Sequence, residues 1–301
     1  MSKKNLIVIA GPTAIGKTAL SIAIAKNYNC PVISADSRQF FKEMSIGTAK
    51  PTFEEMQGVP HYFVDSHTVT EDYNVGKYET EVISLLEKLF QTHDKVILVG
   101  GSGLYIDAVC KGFDELPEAD AEVRTKINSL LETDGIEGLQ NLLKELDIDY
   151  YNKVDLQNPQ RLSRALEVCL TTGMPYSTLR KGTSKKRNFN CIKIGLNTSR
   201  EVLYKQINQR VDTMMTLGLL NEVKSLQPYK NANALQTVGY KELFDVLENK
   251  IDLKTAVELI KQNTRRFAKR QLTWFRRDEE MKWFEPDQLN EIITYINLND
   301  T

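Results

Sequence analysis

Leu6-Ile-Val-Ile-Ala-Gly-Pro-Thr-Ala-Ile-Gly-Lys-Thr18 decides how the rest of the chain is read. The run from Leu6 to Ala10 is short, apolar and largely β-branched, the pattern of a strand buried on both faces of a parallel sheet. Gly11, Pro12, Thr13, Ala14, Ile15, Gly16, Lys17 and Thr18 follow, and then Ala19-Leu-Ser-Ile-Ala-Ile-Ala-Lys26, a good helix-forming sequence. Strand, glycine-rich loop and helix in that order predict a phosphate-binding P-loop. The glycines let backbone N–H groups curl around phosphate oxygens, and the helix N-terminus adds partial positive charge. Lys17 supplies a full charge, and the Thr18 hydroxyl is placed to hold a magnesium ion, with Asp36 as a second candidate ligand.

Outward from this stretch, two further strands are predicted, Pro31 to Ala35 and Lys95 to Val99. Each ends in a polar loop, Asp36-Ser37-Arg38-Gln39 after the first and Gly100-Gly-Ser102-Gly-Leu-Tyr105 after the second. Residues 40–75 are rich in turn formers, and 76–93 read as an amphipathic helix with Val82, Leu85, Leu86 and Leu89 on one face. Alternating helices and continuously apolar strands predict an α/β fold, a P-loop NTPase-like parallel sheet flanked by helices. Loops at the carboxyl ends of such strands build the site, so 11–18, 36–39 and 100–103 are expected to converge on one cleft. From Glu115 the strand signals give way to short charged helical patterns at 121–132, 137–146 and 158–171. A mainly helical insertion, 115–190, is therefore expected within a core made of 1–114 and 191–301. Cys191 to Leu196 returns as a strand, followed by helices at 199–217, 218–227 and 239–248 and a long final one at 253–277.

Composition narrows the classes. The 301 residues carry a net charge of −1, so contact with nucleic acid must come from a local basic face. Cys30, Cys110, Cys169 and Cys191 lack paired spacing, which points to reduced thiols in a cytoplasmic protein rather than disulfides or zinc. No apolar run has membrane-spanning length, and the chain starts directly with its first strand, without a leader. At about 100° per residue, Arg265, Arg266, Lys269, Arg270, Arg276 and Arg277 of the final helix fall in an arc of about 140°. Val257, Phe267, Ala268, Leu272, Trp274 and Phe275 lie opposite and are expected to dock on the core. Six cations without an acid among them suit a polyanion such as an RNA or DNA backbone.

Several residues admit two roles on pattern alone. Asp36 is a general base or metal partner, or it caps the next turn. The Gly100–Gly103 loop offers amides and the Ser102 hydroxyl to a second phosphate, or is a tight strand-to-helix turn. Arg161 and Arg164, one helical turn apart, clamp phosphates or pair with Glu167. The strand before Gly100 lacks the terminal acid with which many P-loop ATPases hold magnesium, which weakens a reading as an ATP hydrolase.

Taken together, the segments resemble the tRNA dimethylallyltransferases, the isopentenyl-diphosphate:tRNA transferases of bacteria, along almost the whole chain. The resemblance is carried by the P-loop, Asp36 to Gln39, Gly47-Thr-Ala-Lys-Pro51, Gly100 to Tyr105, Asn158-Pro-Gln-Arg-Leu-Ser-Arg-Ala-Leu-Glu-Val168, Val238-Gly-Tyr-Lys-Glu-Leu243 and Lys269-Arg-Gln-Leu-Thr-Trp-Phe-Arg276. Two residues depart from the family pattern: Ser102 stands for the usual Thr, and the aromatic near Gln39 is Phe rather than the more typical Tyr. The cysteine count fits the bacterial type, without the zinc finger of eukaryotic members.

The resemblance implies transfer of a dimethylallyl group from its diphosphate to N6 of the adenosine 3′-adjacent to the anticodon. By the family pattern Lys17, Thr18 and magnesium hold the diphosphate, joined by Thr13, Ser102, Arg124 and Arg210, and Asp36 is the general base. Asp36, Ser37, Arg38, Gln39, Ser102 and Arg124 would meet the tRNA, whose target base leaves its stack. So would Gln160, Arg161, Leu162, Ser163 and Arg164 of the insertion. The remaining expected tRNA contacts are Gln236, Thr237, Val238, Gly239, Tyr240 and Lys241, and Lys269, Arg270, Gln271, Leu272, Thr273, Trp274, Phe275 and Arg276. The implied partners are the tRNA anticodon stem-loop and dimethylallyl diphosphate, with Mg2+ as cofactor, a monomeric protein and no ATP consumed. Two other classes are weighed against this. A P-loop kinase or a prenyltransferase of free nucleotides needs no basic terminal helix, and a non-catalytic RNA-binding protein has no use for Asp36.

Overall fold

The computed structural model describes residues 4–114, 116–117, 120–182 and 184–300. Its chain forms two compact units, Met1–Lys111 with Lys186–Thr301, and Gly112–Lys185. In chain order the first unit begins with β1 (Asn5–Ala10), α1 (Lys17–Tyr28), β2 (Val32–Ser34), α2 (Phe53–Met56), β3 (His61–Tyr62), α3 (Val75–Leu89), β4 (Lys95–Gly100) and α4 (Gly103–Lys111). The second unit is α5 (Ala121–Leu146), α6 (Ile148–Tyr151), α7 (Pro159–Thr172) and α8 (Tyr176–Leu179). The first unit resumes with β5 (Asn190–Leu196), α9 (Arg200–Thr216), α10 (Leu219–Ser225), α11 (Tyr240–Leu247), α12 (Leu253–Phe275), β6 (Lys282–Phe284) and α13 (Leu289–Leu298).

β1 organises the first unit because both of its faces are apolar. Leu6, Val8 and Ala10 point into one buried cluster, and Ile7 and Ile9 into the other. The strand pairs in parallel with β4 on one side, Ile7 opposite Ile97, and with β5 on the other, Ile7 opposite Ile192. The six-stranded order is β3-β2-β4-β1-β5-β6, with every pair parallel. This is the expected P-loop-type sheet with flanking helices. β3 and β6, two and three residues long at the sheet edges, were not expected, being too short to show a period. Nor was α13, whose Ile292 and Ile296 fill the cluster around Ile7 and Ile9.

α12 starts where Asp252 accepts the amide of Thr255, and it buries Ala256, Ile260, Ala268, Gln271 and Phe275. Phe267 corrects the helical projection. It is 39% exposed rather than docked, because the buried seam passes through Ala268 and Gln271 and leaves its neighbour at the edge. In the second unit α5 bends at Gly135, which takes φ 66° and separates the two helical patterns seen in the sequence. Asn158 caps α7 by accepting the amide of Arg161, with Pro159 in the first turn. Ile127, Leu139, Leu143, Leu162, Ala165 and Leu166 make a separate core for this unit. No helix among the described residues is long and apolar enough to cross a membrane.

The ends of β2 and β4 press together where the site begins. The Ala35 amide donates to the Val99 carbonyl at 2.7 Å, and a Cβ on Gly100 would lie 2.3 Å from the Ala35 oxygen. Backbone cannot yield there as a flexible side chain would. Gly100→Ala is expected to destabilise the protein by about 2–3 kcal/mol, read from urea unfolding.

Candidate active site

β1 delivers the P-loop to the carboxyl edge of the sheet. Ala14 takes φ 66° and Gly16 φ 95°, left-handed conformations that turn the chain back before α1. Strain at a non-glycine residue such as Ala14 persists where a functional loop fixes it. Lys17 Nζ donates to the carbonyls of Gly11 at 3.0 Å and Pro12 at 2.8 Å. Burial lowers the Lys17 pKa to about 7, with Arg210 pushing the same way and Asp36 opposing. A charge of fixed sign is thus held cheaply only when an anion is close.

A cleft of about 290 Å³ runs along the loop, lined by Thr13 to Thr18, Asp36, Gln39, Val99, Gly100, Gln206, Arg210, Phe267 and Gln271. The P-loop, the end of β2 and the end of β4 therefore meet in one place, as the topology predicts. Asp36 Oδ1 accepts the Arg38 amide at 3.0 Å, so the residue caps its own turn while its carboxylate faces the cleft. Ser102 Oγ accepts the Ser37 amide at 3.1 Å and donates to Ser37 Oγ at 3.1 Å. The Ser102 amide donates to the Ala35 carbonyl at 3.3 Å. These bonds make the Gly100–Gly103 loop a turn that braces Asp36–Gln39. Its amide at Ser102 is already committed to protein.

Gln271, 7% exposed, joins three elements: its Oε1 accepts the Thr13 amide at 2.9 Å and its Nε2 donates to the Gly101 carbonyl at 2.8 Å. Gln39 Nε2 donates to the carbonyls of Thr48 and Ala49, both at 3.3 Å, and Arg210 reaches the Thr48 carbonyl at 3.5 Å. That segment is anchored from behind by Glu222, which sequence reasoning missed. Its carboxylate accepts the amides of Ser45, Ile46 and Gly47 at 2.7–3.0 Å and the Tyr240 hydroxyl at 2.6 Å. Nothing near Glu222 in the sequence signals this, because the amides it accepts lie more than 170 residues upstream. Phe40 sits in an aromatic cluster, stacked on Tyr78 at 5.1 Å with Phe63, Tyr73 and Tyr105 around it. Phe40 and Phe41 are both buried, so the departure from Tyr near Gln39 lies in the core.

The expected tRNA-contacting residues divide by exposure. Arg266, Lys269 and Arg270 are exposed on α12 and Arg276 and Arg277 just after it; Gln236, Lys241, Gln160 and Arg161 are exposed too. Arg265 is instead tied to α9, donating to Asn208 Oδ1 at 2.6 Å and lying over the Tyr204 ring. Tyr240 and Phe275 are core residues, and Leu162 is buried in the second unit, so their side chains support these segments from inside. Gly239, at φ 94°, starts α11, with Val238 packed on the core and Thr237 half-buried. Leu272 packs on the core, Thr273 Oγ1 bonds the Lys269 carbonyl at 3.0 Å, and Trp274 Nε1 donates to Asp107 at 2.8 Å. In the second unit Glu167 receives both Arg124, at 3.1 Å, and Arg164, at 3.4 Å, while Ser163 is half-buried.

No group of three or more His, Cys, Asp or Glu able to hold a metal occurs among the described residues. The Thr18 hydroxyl and Asp36 carboxylate in one cleft fit magnesium held chiefly through substrate phosphates and water, which is how this ion usually binds.

The Lys17 shift gives a signed expectation. Its folded pKa is depressed, so between about 7 and 10.5 the unfolded chain binds more protons, and stability rises with pH across that window. Lys17→Met removes this dependence. Urea unfolding should show the variant gaining most over the parent protein near pH 7, with the gain shrinking as pH approaches 10.

Comparison with known proteins agrees with this geometry. The IPP transferase family model matches residues 39–278. A tRNA dimethylallyltransferase of Flavobacterium johnsoniae is 54% identical over 300 residues, covering 97% of each chain. A tRNA dimethylallyltransferase 1 of Bacteroides fragilis is 49% identical, covering 98% of each. Among solved structures, the full-length tRNA isopentenylpyrophosphate transferase of Bacillus halodurans superposes with a TM-score of 0.74 at 36% identity, over 99% of this chain and 97% of that one. A eukaryotic dimethylallyltransferase acting on tRNA gives 0.78 at 28% identity, over 98% and 77%. A phosphate loop, a facing carboxylate and this span of similarity lead to one conclusion: the chain belongs to the IPP transferase family.

Proposed function

We propose that the protein transfers the dimethylallyl group of dimethylallyl diphosphate to N6 of the adenosine at position 37 of tRNA, next to the anticodon, releasing diphosphate. The observation that carries this is the single cleft in which a P-loop lysine, Arg210 and the Asp36 carboxylate line one cavity. The names of the relatives, tRNA dimethylallyltransferases, support the same activity.

In the proposed reaction the P-loop amides, Lys17 and Arg210 take the diphosphate, where negative charge grows as the C1–O bond breaks. Magnesium, held by Thr18 and Asp36 with the phosphates, would supply further neutralisation of that charge. Ala14, Val99 and Phe267 give the cleft apolar wall for the prenyl chain. The N6 lone pair attacks C1, and the N6 proton passes to Asp36. An aromatic amine is a weak nucleophile, so a carboxylate fixed by the Arg38 amide is a useful acceptor. The exposed cations Arg266, Lys269 and Arg270, beside Phe267 on α12, would meet the tRNA backbone, and the helical unit 112–185 would contribute Gln160 and Arg161. The protein would act as a cytoplasmic monomer.

Incubation with dimethylallyl diphosphate, magnesium and unmodified tRNA, followed by nucleoside mass analysis, should reveal an adenosine heavier by one dimethylallyl group less a hydrogen. Product on free AMP instead would favour a free-nucleotide prenyltransferase. Asp36→Asn should keep tRNA binding and lose roughly 10²- to 10⁴-fold in turnover, and a near-normal rate would remove the general-base role. Neutralising Arg266, Lys269 and Arg270 should weaken tRNA binding and reduce its log–log salt slope by about 0.7–0.9 for each phosphate that is no longer neutralised. An unchanged slope would move the RNA face elsewhere.

A further inference from the structure

Gln206 lies on α9 one turn before Arg210 and lines the same cleft. Its neighbours Leu203 and Ile207 join the buried cluster that includes Ile15, with Ala14 packed against it, so this part of the helix lies against the P-loop. The Gln206 Oε1 is buried and lacks a hydrogen-bond partner, the one such side-chain atom among the described residues. Buried polar atoms without partners are rare and costly, so an amide that lines the cleft without satisfying its oxygen is not placed there to brace the protein.

We propose that Gln206 is a further ligand of the anion in this cleft, contacting the substrate diphosphate through its side-chain amide. Lys17, Arg210 and the P-loop amides set a positive field, so the ligand is an acceptor of hydrogen bonds. The Nε2 end of the amide, which is not closed off as Oε1 is, carries the N–H donors that phosphate oxygens accept. A neutral donor suits the position. Arg210 already lowers the tendency of Lys17 to hold a proton, and the amide adds a contact without adding charge.

The proposal rests on the cleft being a diphosphate site, and the test separates the two. Inorganic diphosphate with magnesium is titrated calorimetrically into the full chain, as parent protein and as Gln206→Leu, Gln206→Glu and Lys17→Ala, and each is melted without ligand. Gln206→Leu should bind diphosphate roughly 10-fold more weakly, with a ligand-free melting temperature unchanged or higher, since an unpartnered buried oxygen is gone. Gln206→Glu should bind roughly 100-fold more weakly, and tRNA affinity should hold in both. Parent-like diphosphate affinity in Gln206→Leu overturns the proposal. A melting temperature lowered by several degrees overturns it too, as the sign of a structural residue. If Lys17→Ala also binds like the parent protein, the diphosphate reading itself fails. If only Lys17→Ala loses affinity, the reading stands and Gln206 drops out.

Discussion

The buried amide of Gln271 holds the candidate site together. One side chain accepts the Thr13 amide of the P-loop and donates to the Gly101 carbonyl after β4, and it does so from the helix that also carries the exposed cations. An amide supplies the donor and the acceptor that these two loops leave over, which neither a carboxylate nor a lysine provides. The fit is close enough that a Cβ on Gly101 would lie 2.3 Å from Gln271 Nε2, and one on Gly103 2.3 Å from Trp274 Cδ1. Gly101 and Gly103 therefore serve first to let α12 approach the sheet.

On that frame the electrostatics are arranged for an incoming anion. Lys17, Arg38 and Arg210 all have pKa values lowered by burial, so the free site holds its positive charge against the cost of desolvation. Asp36 offsets part of this for all three. The Asp36 carboxylate thus shares one cleft with Lys17 and Arg210, beside the P-loop amides.

The parts of this arrangement that could be read in the sequence are those that depend on near neighbours. β1, β4 and the P-loop between them announce themselves because a strand buried on both faces needs unbroken apolar residues, and a phosphate loop needs its glycines, lysine and threonine in register. Asn158 with Pro159 marks a helix start for the same local reason. The bracing roles of Gln271 and Glu222, and the place of Gln206, could not be read this way. Gln271 and Thr13 are 258 residues apart, and Glu222 and Gly47 are 175 apart, so only the folded sheet brings them together. Phe267 was misassigned because a helical projection gives angles around the axis but not the width of the seam. Arg265 likewise counts as a surface cation on the wheel and is spent on Asn208 and Tyr204 in the structure.

The hold of Glu222 on the segment 45–47 has a further consequence in time. The ribosome makes the P-loop and Asp36 first, whereas Glu222 emerges 175 residues after Gly47 and Gln271 258 residues after Thr13. Until then the loop beneath Gln39 has no anchor and the P-loop no brace. A nascent chain can expose its glycine-rich motif without having a finished cleft, and the cleft is braced only once Gln271 has emerged.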